Sequence, residues 1–502
     1  MSNIFSGIYR ANDALTAARY GLEVTGQNIA NANTPGYTRQ ASQQASVETA
    51  VGVPTLHSGT IDGGGVRAVG AQRLSDVVLN SRMRDEHARS AQVDTQATRI
   101  ADIENIFKEP SDTGLAEQLH DFWNSWGDVA DDPGAQVPRE MLIQSGKATV
   151  TMLHSMDSAL DSVATASKNA LDATVESVNS SASELSELNR KIAIGDATNA
   201  NVNALLDRRD VLLDQLSSAV GAKATLNANG TASVTVGGQA LVSTGAGGTP
   251  PFQAGSLAVS WDTSVTPDWD PSKKVTLTIT DSAGTATVLV DSATSLVGDS
   301  TVKAEAQTIN DTVPYYRSKL DAVAQSLTTT VNGTQSGGFD LGGQPGAAMF
   351  DDGAATPGYA VTAKNISVAS GFLGSSGWKL VAAADTQSLD ASSNPIGNVN
   401  GGNALAAANS SSAAGSPDTA YSSLIGELGR ASASAQQQQT TQSVITSSVD
   451  TLQASTSGVS FDEEVSNMLT YQMAFQASSR VLTTLDSMLD TLINKTGLVG
   501  RA

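Results

Sequence analysis

Residues 28–37 read Asn-Ile-Ala-Asn-Ala-Asn-Thr-Pro-Gly-Tyr, and they end the first helix that the sequence predicts. Pro35 disfavours helical backbone at Thr34, and Pro35-Gly36 fits the centre of a type II turn with Gly36 at positive φ. Upstream, residues 1–31 carry one apolar seam, spaced alternately by four and three residues. The seam consists of Ile4, Ile8, Ala11, Leu15, Ala18, Leu22, Thr25 and Ile29. Such a heptad seam predicts a long amphipathic helix that packs against another helix.

A second heptad seam lies near the end of the chain. Ser460 and Glu463 fit a capping box at its start, and acidic residues there suit the positive end of a helix. The seam consists of Phe461, Met468, Tyr471, Phe475, Ser478, Leu482, Leu485, Leu489 and Leu492. We expect the two terminal helices to pair as an antiparallel coiled coil. The predicted assembly interface comprises Ile4, Ile8, Leu15, Leu22, Ile29, Met468, Tyr471, Phe475, Leu482, Leu485, Leu489 and Leu492.

Between these ends the hydrophobic periodicity changes from helical to alternating and back. Helices are predicted over 74–107, 115–130, 138–194, 202–220, 303–331 and 420–494. Strands are predicted around 66–69 and over 231–236, 257–261, 274–280 and 285–290, with turns at Asn229-Gly230 and Ala283-Gly284. Weaker strands are predicted over 359–368 and 378–383, before a low-complexity stretch at 402–415.

The sequence therefore predicts an α+β multidomain protein with a long-helix middle domain and inserted small β domains. Residues 1–56 and 456–502 would form a terminal coiled-coil domain. The helical middle domain would combine 57–220, 301–349 and 416–455. An inserted β domain would span 221–300, and a weakly β, low-complexity insertion would span 350–415.

Composition excludes several classes of function. The 502-residue chain has a net charge of −21, which disfavours nucleic acid and anionic membranes as partners. It contains no cysteine, so disulfides and thiolate metal sites are excluded. The N-terminus has neither the basic nor the apolar region of a cleavable signal peptide, and no apolar run is long enough to span a membrane.

The motifs of catalysis and cofactor binding are missing or incomplete. Around Gly146-Lys147, a phosphate loop would require glycine at Met141 and a hydroxyl at Ala148. Gly63-Gly64-Gly65 lacks the flanking strand and helix of a dinucleotide site, and a turn explains it better. We therefore predict no catalytic residue, no cofactor-binding residue and no metal ligand, and we predict that the protein is not an enzyme.

The apolar seams allow two interpretations. A helix with a single apolar seam is not expected to be stable alone in water, because helical stability comes mainly from tertiary packing. The seams could be buried within one chain, as an intramolecular bundle. Alternatively, many copies could complete the burial in a tube lined by terminal helices, and the free ends would then fold on assembly. Periodicity alone leaves both open.

The stretch from Asn28 to Tyr37 closely resembles the signature of the flagellar rod and hook axial proteins. Its turn residues are Asn31, Asn33, Thr34, Pro35, Gly36 and Tyr37. Within that group, 205–216, 320–341 and 460–492 are similar to the family of hook-associated protein 1, the hook–filament junction proteins. The segments 221–300 and 350–415 carry no motif of this family.

The resemblance implies a structural subunit between hook and filament that polymerises through its terminal helices. It implies a ring of about eleven copies. The partners would be other copies of the chain, the hook protein, the next hook-associated junction protein and an export chaperone at the C-terminal helix. The protein would be extracellular, exported without a cleavable signal. A hook or distal rod protein is the nearest alternative, and a secreted coiled-coil adhesin is a more distant one.

Overall fold

The computed structural model describes residues 2–47, 64–245, 252–261, 275–290, 297–353 and 360–495. Long helices dominate these residues, as the hydrophobic periodicity predicts. The α-helices are α1 (Ser2–Ala30), α2 (Val77–Phe107), α3 (Leu115–Asp131), α4 (Gln136–Ala197), α5 (Asn203–Val220), α6 (Thr301–Gln307), α7 (Val313–Gly337), α8 (Gly402–Ala408), α9 (Pro417–Ser457) and α10 (Phe461–Asp490). A π-helical turn, Thr308–Thr312, joins α6 to α7, and another, Thr491–Lys495, follows α10.

The strands are short and all their pairings are antiparallel. β1 (Gln40–Ser46) pairs with β2 (Val66–Arg73). A four-stranded sheet contains β3 (Lys223–Leu226), β4 (Ala232–Val236), β5 (Gln239–Ser243) and β6 (Gln253–Ala254), and a three-stranded sheet contains β7 (Ser256–Trp261), β8 (Val275–Thr280) and β9 (Ala286–Val290). Two further pairs join β10 (Phe350–Asp351) to β11 (Ser367–Val368), and β12 (Ser388–Leu389) to β13 (Pro395–Ile396).

Two hydrophobic cores lie along α4. The first surrounds the N-terminal half of α4 and is rich in aromatic residues, with Phe122 and Trp126 fully buried. It includes residues of α2, α3, α7 and α9, and of the insertion from Met349 to Ala407. The second core packs the C-terminal half of α4 and α5 against the two sheets formed by β3–β9. The predicted β insertion thus shares its core with helices that precede it.

Local sequence signals explain where several elements begin and turn. Asp76 caps α2, since its carboxylate accepts hydrogen bonds from the backbone N–H groups of Val78 and Leu79 at 2.8 and 3.0 Å. Gly230 and Gly284 take φ values of 80° and 86°, which confirms the two predicted hairpin turns.

The structure corrects the predicted helix over 420–494, which is two helices, α9 and α10. The break falls at Gly458, whose backbone N–H closes α9 on the Ala454 carbonyl at 2.9 Å. The capping box predicted at Ser460 is also wrong. Ser460 is the N-cap residue, but its side chain makes no capping hydrogen bond. Glu463 instead pairs with Arg39.

The weak strands predicted over 359–368 and 378–383 are largely wrong. Of the first, only Ser367–Val368 forms a strand, and Tyr359 lies outside the described residues. The second begins in a 3-10 turn, Gly377–Leu380. Its backbone groups bond to buried side chains instead of a neighbouring strand. Arg139 donates to the carbonyl of Val381 at 2.7 Å, and Asn403 donates to that of Ala382 at 2.6 Å.

Candidate assembly interface

The first and last long helices lie side by side and run in opposite directions. A β carbon built on Gly7 would lie 3.2 Å from Leu485, and one built on Gly21 would lie 2.5 Å from the ring of Tyr471. Further along, the Asn28 amide donates to Glu464 at 3.0 Å. Residue numbers rise along α1 as they fall along α10, so the pairing is antiparallel.

Within a single chain this interface is only half-buried. The buried apolar residues of α1 are small: Ala11, Ala17, Ala18 and Val24. Among the described residues of α10, only Glu464 is buried. Ten predicted interface residues are half-buried: Ile8, Leu15, Leu22, Ile29, Met468, Tyr471, Phe475, Leu482, Leu485 and Leu489. Leu492 is 47% exposed, and the side chain of Ile4 lies outside the described part of the chain.

Asn28 joins α1 to the segment that follows the motif turn. Its amide oxygen accepts from the Tyr37 hydroxyl at 2.8 Å and from the Gln40 backbone N–H at 3.0 Å. Its amide nitrogen donates to the Gln40 carbonyl at 2.8 Å and to Glu464. Asn28 is fully buried, and these four bonds use its two donors and both acceptor positions.

The motif turn has the predicted geometry. The Tyr37 N–H donates to the Thr34 carbonyl at 3.1 Å, and Gly36 takes a φ of 79°. Gly36 also contacts Val211 of α5, and a β carbon at Gly36 would overlap that side chain. Asn31 bonds the Gln27 carbonyl at 3.0 Å. Other residues of the turn, Asn33, Thr34 and Pro35, are exposed.

Burial and neighbouring carboxylates suppress ionisation of Tyr37. Burial, with smaller contributions from the charges of Asp207 and Glu464, raises the pKa of Tyr37 to about 12. The hydroxyl therefore keeps its proton, and can donate to Asn28, even at alkaline pH.

Arg39 and Glu464 form a charged contact that sequence reasoning missed. Glu464 accepts from the Arg39 Nε at 2.7 Å, and Glu463 accepts from the Arg39 Nη1 at 2.5 Å. Helix-end electrostatics explains why acidic residues begin α10, but it does not predict this contact. A usable signal exists, because Glu464 lies four residues before Met468 and seven before Tyr471. It therefore occupies the apolar seam, where a charge requires a partner.

A second charged cluster joins the β1–β2 hairpin to α5. Arg73 on β2 donates to Asp207 at 2.9 Å and to Asp210 at 2.7 Å. Nearby, the Asn203 amide donates to the Gln40 side chain at 2.8 Å and to the Ala71 carbonyl at 2.9 Å. Burial raises the pKa of Asp207, and Arg73 opposes that shift. The cluster ties the motif segment to the second core.

Neither metal binding nor membrane insertion is indicated by the described residues. They contain no group of three or more His, Asp or Glu side chains placed to hold a metal ion. None of their helices combines the length and apolar character needed to cross a bilayer.

Family models match three parts of the chain. The flagellar basal body rod protein model matches residues 8–38, and the C-terminal model of the basal body rod FlgEFG proteins matches residues 452–495. These two segments contain most of α1 and α10. The paired terminal helices and the motif turn thus define a structural axial protein of the bacterial flagellum. The helical-domain model of flagellar hook-associated protein FlgK matches residues 100–350, half of the chain, and the chain belongs to this family.

Relatives agree with this assignment over their full length. Flagellar hook-associated protein 1 of Bacillus subtilis is 28% identical over 537 aligned positions that cover all of both chains. The Escherichia coli protein of the same name is 26% identical, with 97% of this chain and 99% of that protein covered. The flagellar hook junction protein FlgK from Burkholderia pseudomallei shares the fold, with a TM-score of 0.60 at 15% identity over 75% of this chain and 100% of that one.

The family is a structural, non-enzymatic component of the flagellum, which bears out the prediction that the chain is not an enzyme. The rod and hook matches at the two ends indicate assembly with other axial proteins of the flagellum.

Proposed function

We propose that this protein forms the junction between hook and filament and polymerises through its terminal helices. The FlgK helical-domain match over residues 100–350 favours a junction subunit over the alternative of a hook or distal rod protein. The terminal helices would form an antiparallel coiled coil whose remaining apolar surface is covered by neighbouring copies.

One observation carries the proposal: α10 exposes large apolar side chains although it already packs on α1. Leu469, Met473, Val481 and Met488 are each at least 51% exposed. Their spacing of four, eight and seven residues places them along one side of the helix, and we call this side the outer stripe. Isolated subunits rarely leave such a surface uncovered, so it marks a contact with another protein. A second copy fits best, because α1 also exposes apolar side chains, at Phe5 and Tyr9.

The proposed partners follow from the position at the junction. Copies of the chain would form a ring of about eleven subunits. The hook protein would contact one side of that ring and the next hook-associated junction protein the other. An export chaperone would cover the C-terminal helix before assembly, and the chain would reach the cell exterior without a cleavable signal. The outer stripe offers such a chaperone an apolar helical surface.

We infer that the predicted axial unit and the predicted middle domain have separate roles. Residues 1–56 with 456–502 would form the axial unit. Residues 57–220, 301–349 and 416–455 would form the helical middle, and the insertions 221–300 and 350–415 would pack into its two cores. The axial unit would make the contacts between copies, and the two cores along α4 would stabilise the rest of the chain.

Two variants test the polymer contacts, each with an exposed neighbour as control. Leu485→Asp places a charge against Gly7 of α1, and Met473→Asp places one in the outer stripe. Both should abolish filament formation in a strain that lacks the native gene, while the middle domains stay folded by circular dichroism. Thr484→Asp and Gln472→Asp, at exposed positions next to them, should assemble. Normal filament growth with Met473→Asp would refute polymerisation through the outer stripe. Normal growth with Leu485→Asp would show that assembly does not need the pairing of α1 with α10.

Microscopy of the deletion strain tests the location. Cells without the protein should carry hooks that lack filaments and should release filament protein into the medium. Complete filaments on those cells would overturn the junction assignment, whatever the outcome of the polymer-contact variants.

A further inference from the structure

The contacts between α1 and α10 repeat in layers one heptad apart on both helices. Gly7 lies against Leu485, Gly21 against Tyr471, and Asn28 against Glu464. The same spacing places Ala14 level with Ser478. Gly7 and Gly21 on α1 thus each face a large side chain on α10. The Ala14–Ser478 layer lies between them, and the polar layer of Asn28 and Glu464 follows Gly21.

A heptad repeat by itself does not define which layers meet. If α10 slides by seven residues along α1, apolar positions again face apolar positions. The half-buried leucines and isoleucines would bury similar areas in each register. Something other than the apolar seam must therefore select the register seen in the structure.

The first layer that selects the native register is the contact of Tyr471 with Gly21. Its ring lies so close to the α1 backbone that a β carbon at Gly21 would be 2.5 Å away. A slip of one heptad would bring Tyr471 level with Ala14 or with Asn28. Both residues have a β carbon, so the ring would have to move out of the interface.

The second selective layer is polar. Glu464 is 1% exposed, and its two oxygens accept from Asn28 at 3.0 Å and from Arg39 at 2.7 Å. A slip in one direction would bring Glu464 level with Gly21, which has no side-chain donor, and a slip in the other would place it past the end of α1. Asn28 would lose its carboxylate partner in both cases, and a buried polar group without a partner is costly.

We propose that the Gly21–Tyr471 and Asn28–Glu464 layers fix the register of α1 on α10 and exclude pairings slipped by one heptad. This inference goes beyond the proposed function, because it concerns the fold of one chain and holds whether or not copies polymerise. The two layers act differently: the first excludes slipped registers by size, and the second by loss of hydrogen bonds.

The absence of native cysteine makes the register directly measurable by disulfide formation in the purified full-length chain. Ala14→Cys with Ser478→Cys reports the native register. Gly7→Cys with Ser478→Cys, and Ala14→Cys with Leu485→Cys, report slips in the two directions. Disulfides within one chain are distinguished from those between copies by gel mobility and peptide mass. Each pair is oxidised in the unchanged background and in register variants.

In the unchanged background we expect the native pair to crosslink and the slipped pairs to remain reduced. Tyr471→Leu alone should raise the ratio of slipped to native disulfide about tenfold, the change that corresponds to about 1.4 kcal/mol. Adding Asn28→Leu and Glu464→Leu removes the polar layer as well, and the slipped pairs should then crosslink alongside the native pair. The matched control, Gln27→Leu with Gln472→Leu, changes exposed neighbours and should keep the native register.

Two results would overturn the proposal. One is equal crosslinking of native and slipped pairs in the unchanged background. The other is exclusive native crosslinking in both the Tyr471→Leu and the triple variant. The single variant guards against a triple variant that fails to fold, because Tyr471→Leu retains the Asn28–Glu464 hydrogen bond.

Discussion

At the scale of single residues, two of the three glycines in α1 have opposite surroundings. Gly21 faces the ring of Tyr471, whereas a β carbon at Gly26 would meet no atom within 4 Å. Alanine favours a helix over glycine by about 0.5–1 kcal/mol. Gly26→Ala should therefore stabilise α1 by about that amount. Gly21→Ala should destabilise its contact with α10, because overpacking costs about 1–3 kcal/mol. Hydrogen exchange of the α1 amides measures the stability change that each substitution causes. Equal effects of Gly26→Ala and Gly21→Ala would contradict the close contact between Gly21 and Tyr471.

Asp214 on α5 gives a residue-scale prediction of pH dependence. Its carboxylate lies 3.7 Å from Arg84, but burial outweighs that attraction and raises its pKa to about 6. A carboxyl group whose pKa is higher in the folded state stabilises the fold when protonated. Its contribution is complete below about pH 4 and is lost as pH rises through about 6. Asp214→Asn should remove this dependence.

The measurement compares local opening free energies of α5, by hydrogen exchange, at pH 4 and pH 7.5. From pH 4 to pH 7.5, the local opening free energy of the Asp214→Asn variant should rise by about 2 kcal/mol relative to that of the unchanged protein. Asp172→Asn is the control, because Asp172 pairs with Lys168 on an exposed part of α4. If the effect of Asp214→Asn is the same at both pH values, the carboxylate titrates normally.

At the scale of elements, Arg139 holds residues 377–383, which have little regular structure. Its guanidinium is fully buried and donates to the carbonyls of Pro133 at 2.7 Å, Trp378 at 3.3 Å and Val381 at 2.7 Å. Burial lowers its pKa to about 10, so it remains charged at neutral pH. Arg139→Met would leave these carbonyls without that donor and should cost about 3 kcal/mol.

Hydrogen exchange of residues 377–383 and of α3 tests the role of Arg139. The segment should open far more often in Arg139→Met, while α3 changes less. Arg190→Met removes an exposed ion pair with Glu187 and should change stability by less than about 1 kcal/mol. Equal effects of Arg139→Met and Arg190→Met would show that the buried guanidinium does not hold the segment.

The elements also show which features a sequence can predict. Long helices such as α4 follow from local periodicity, and hairpin turns follow from glycines that need positive φ. The strand predicted over 378–383 is wrong because Arg139, which donates to Val381, lies 242 residues away in the sequence. The same reason explains why the role of Glu464 was missed: its partners, Asn28 and Arg39, are more than 400 residues away. Periodicity marks Glu464 as a charged residue within an apolar seam, but it does not identify partners that lie so far away in the sequence.

At the scale of the whole molecule, α4 is the element that both cores share. Leu142 and Leu153 in its first half are buried with α3 and α7, whereas Leu185 and Ile192 in its second half are buried with α5 and the sheets. A single 62-residue helix thus forms part of each core. The axial segments lie outside both cores. Their strand β1 is attached to α5 through its pairing with β2, whose Arg73 pairs with Asp207 and Asp210.

Arg73 allows that attachment to be weakened without change to either core. Arg73→Met removes the charged contacts of β2 with Asp207 and Asp210. Amide exchange in β1 and β2 should rise at least about tenfold, since losing a buried ion-pair partner costs more than about 1.4 kcal/mol. Exchange in the first core should stay unchanged.

The consequence for the flagellum follows from the same contacts. If the axial unit transmits load to the two cores along α4 through the contacts of Arg73, cells with Arg73→Met should assemble filaments but swim more slowly. The reason is that the weakened contact between β2 and α5 yields under torque. Arg208→Met is the matched control, since Arg208 lies beside Asp207 on α5 but pairs with Glu184 on the exposed side. Suppose that amide exchange in β1 and β2 differs between the two variants as expected, but the two strains swim at equal speed. The contact between β2 and α5 then carries no load.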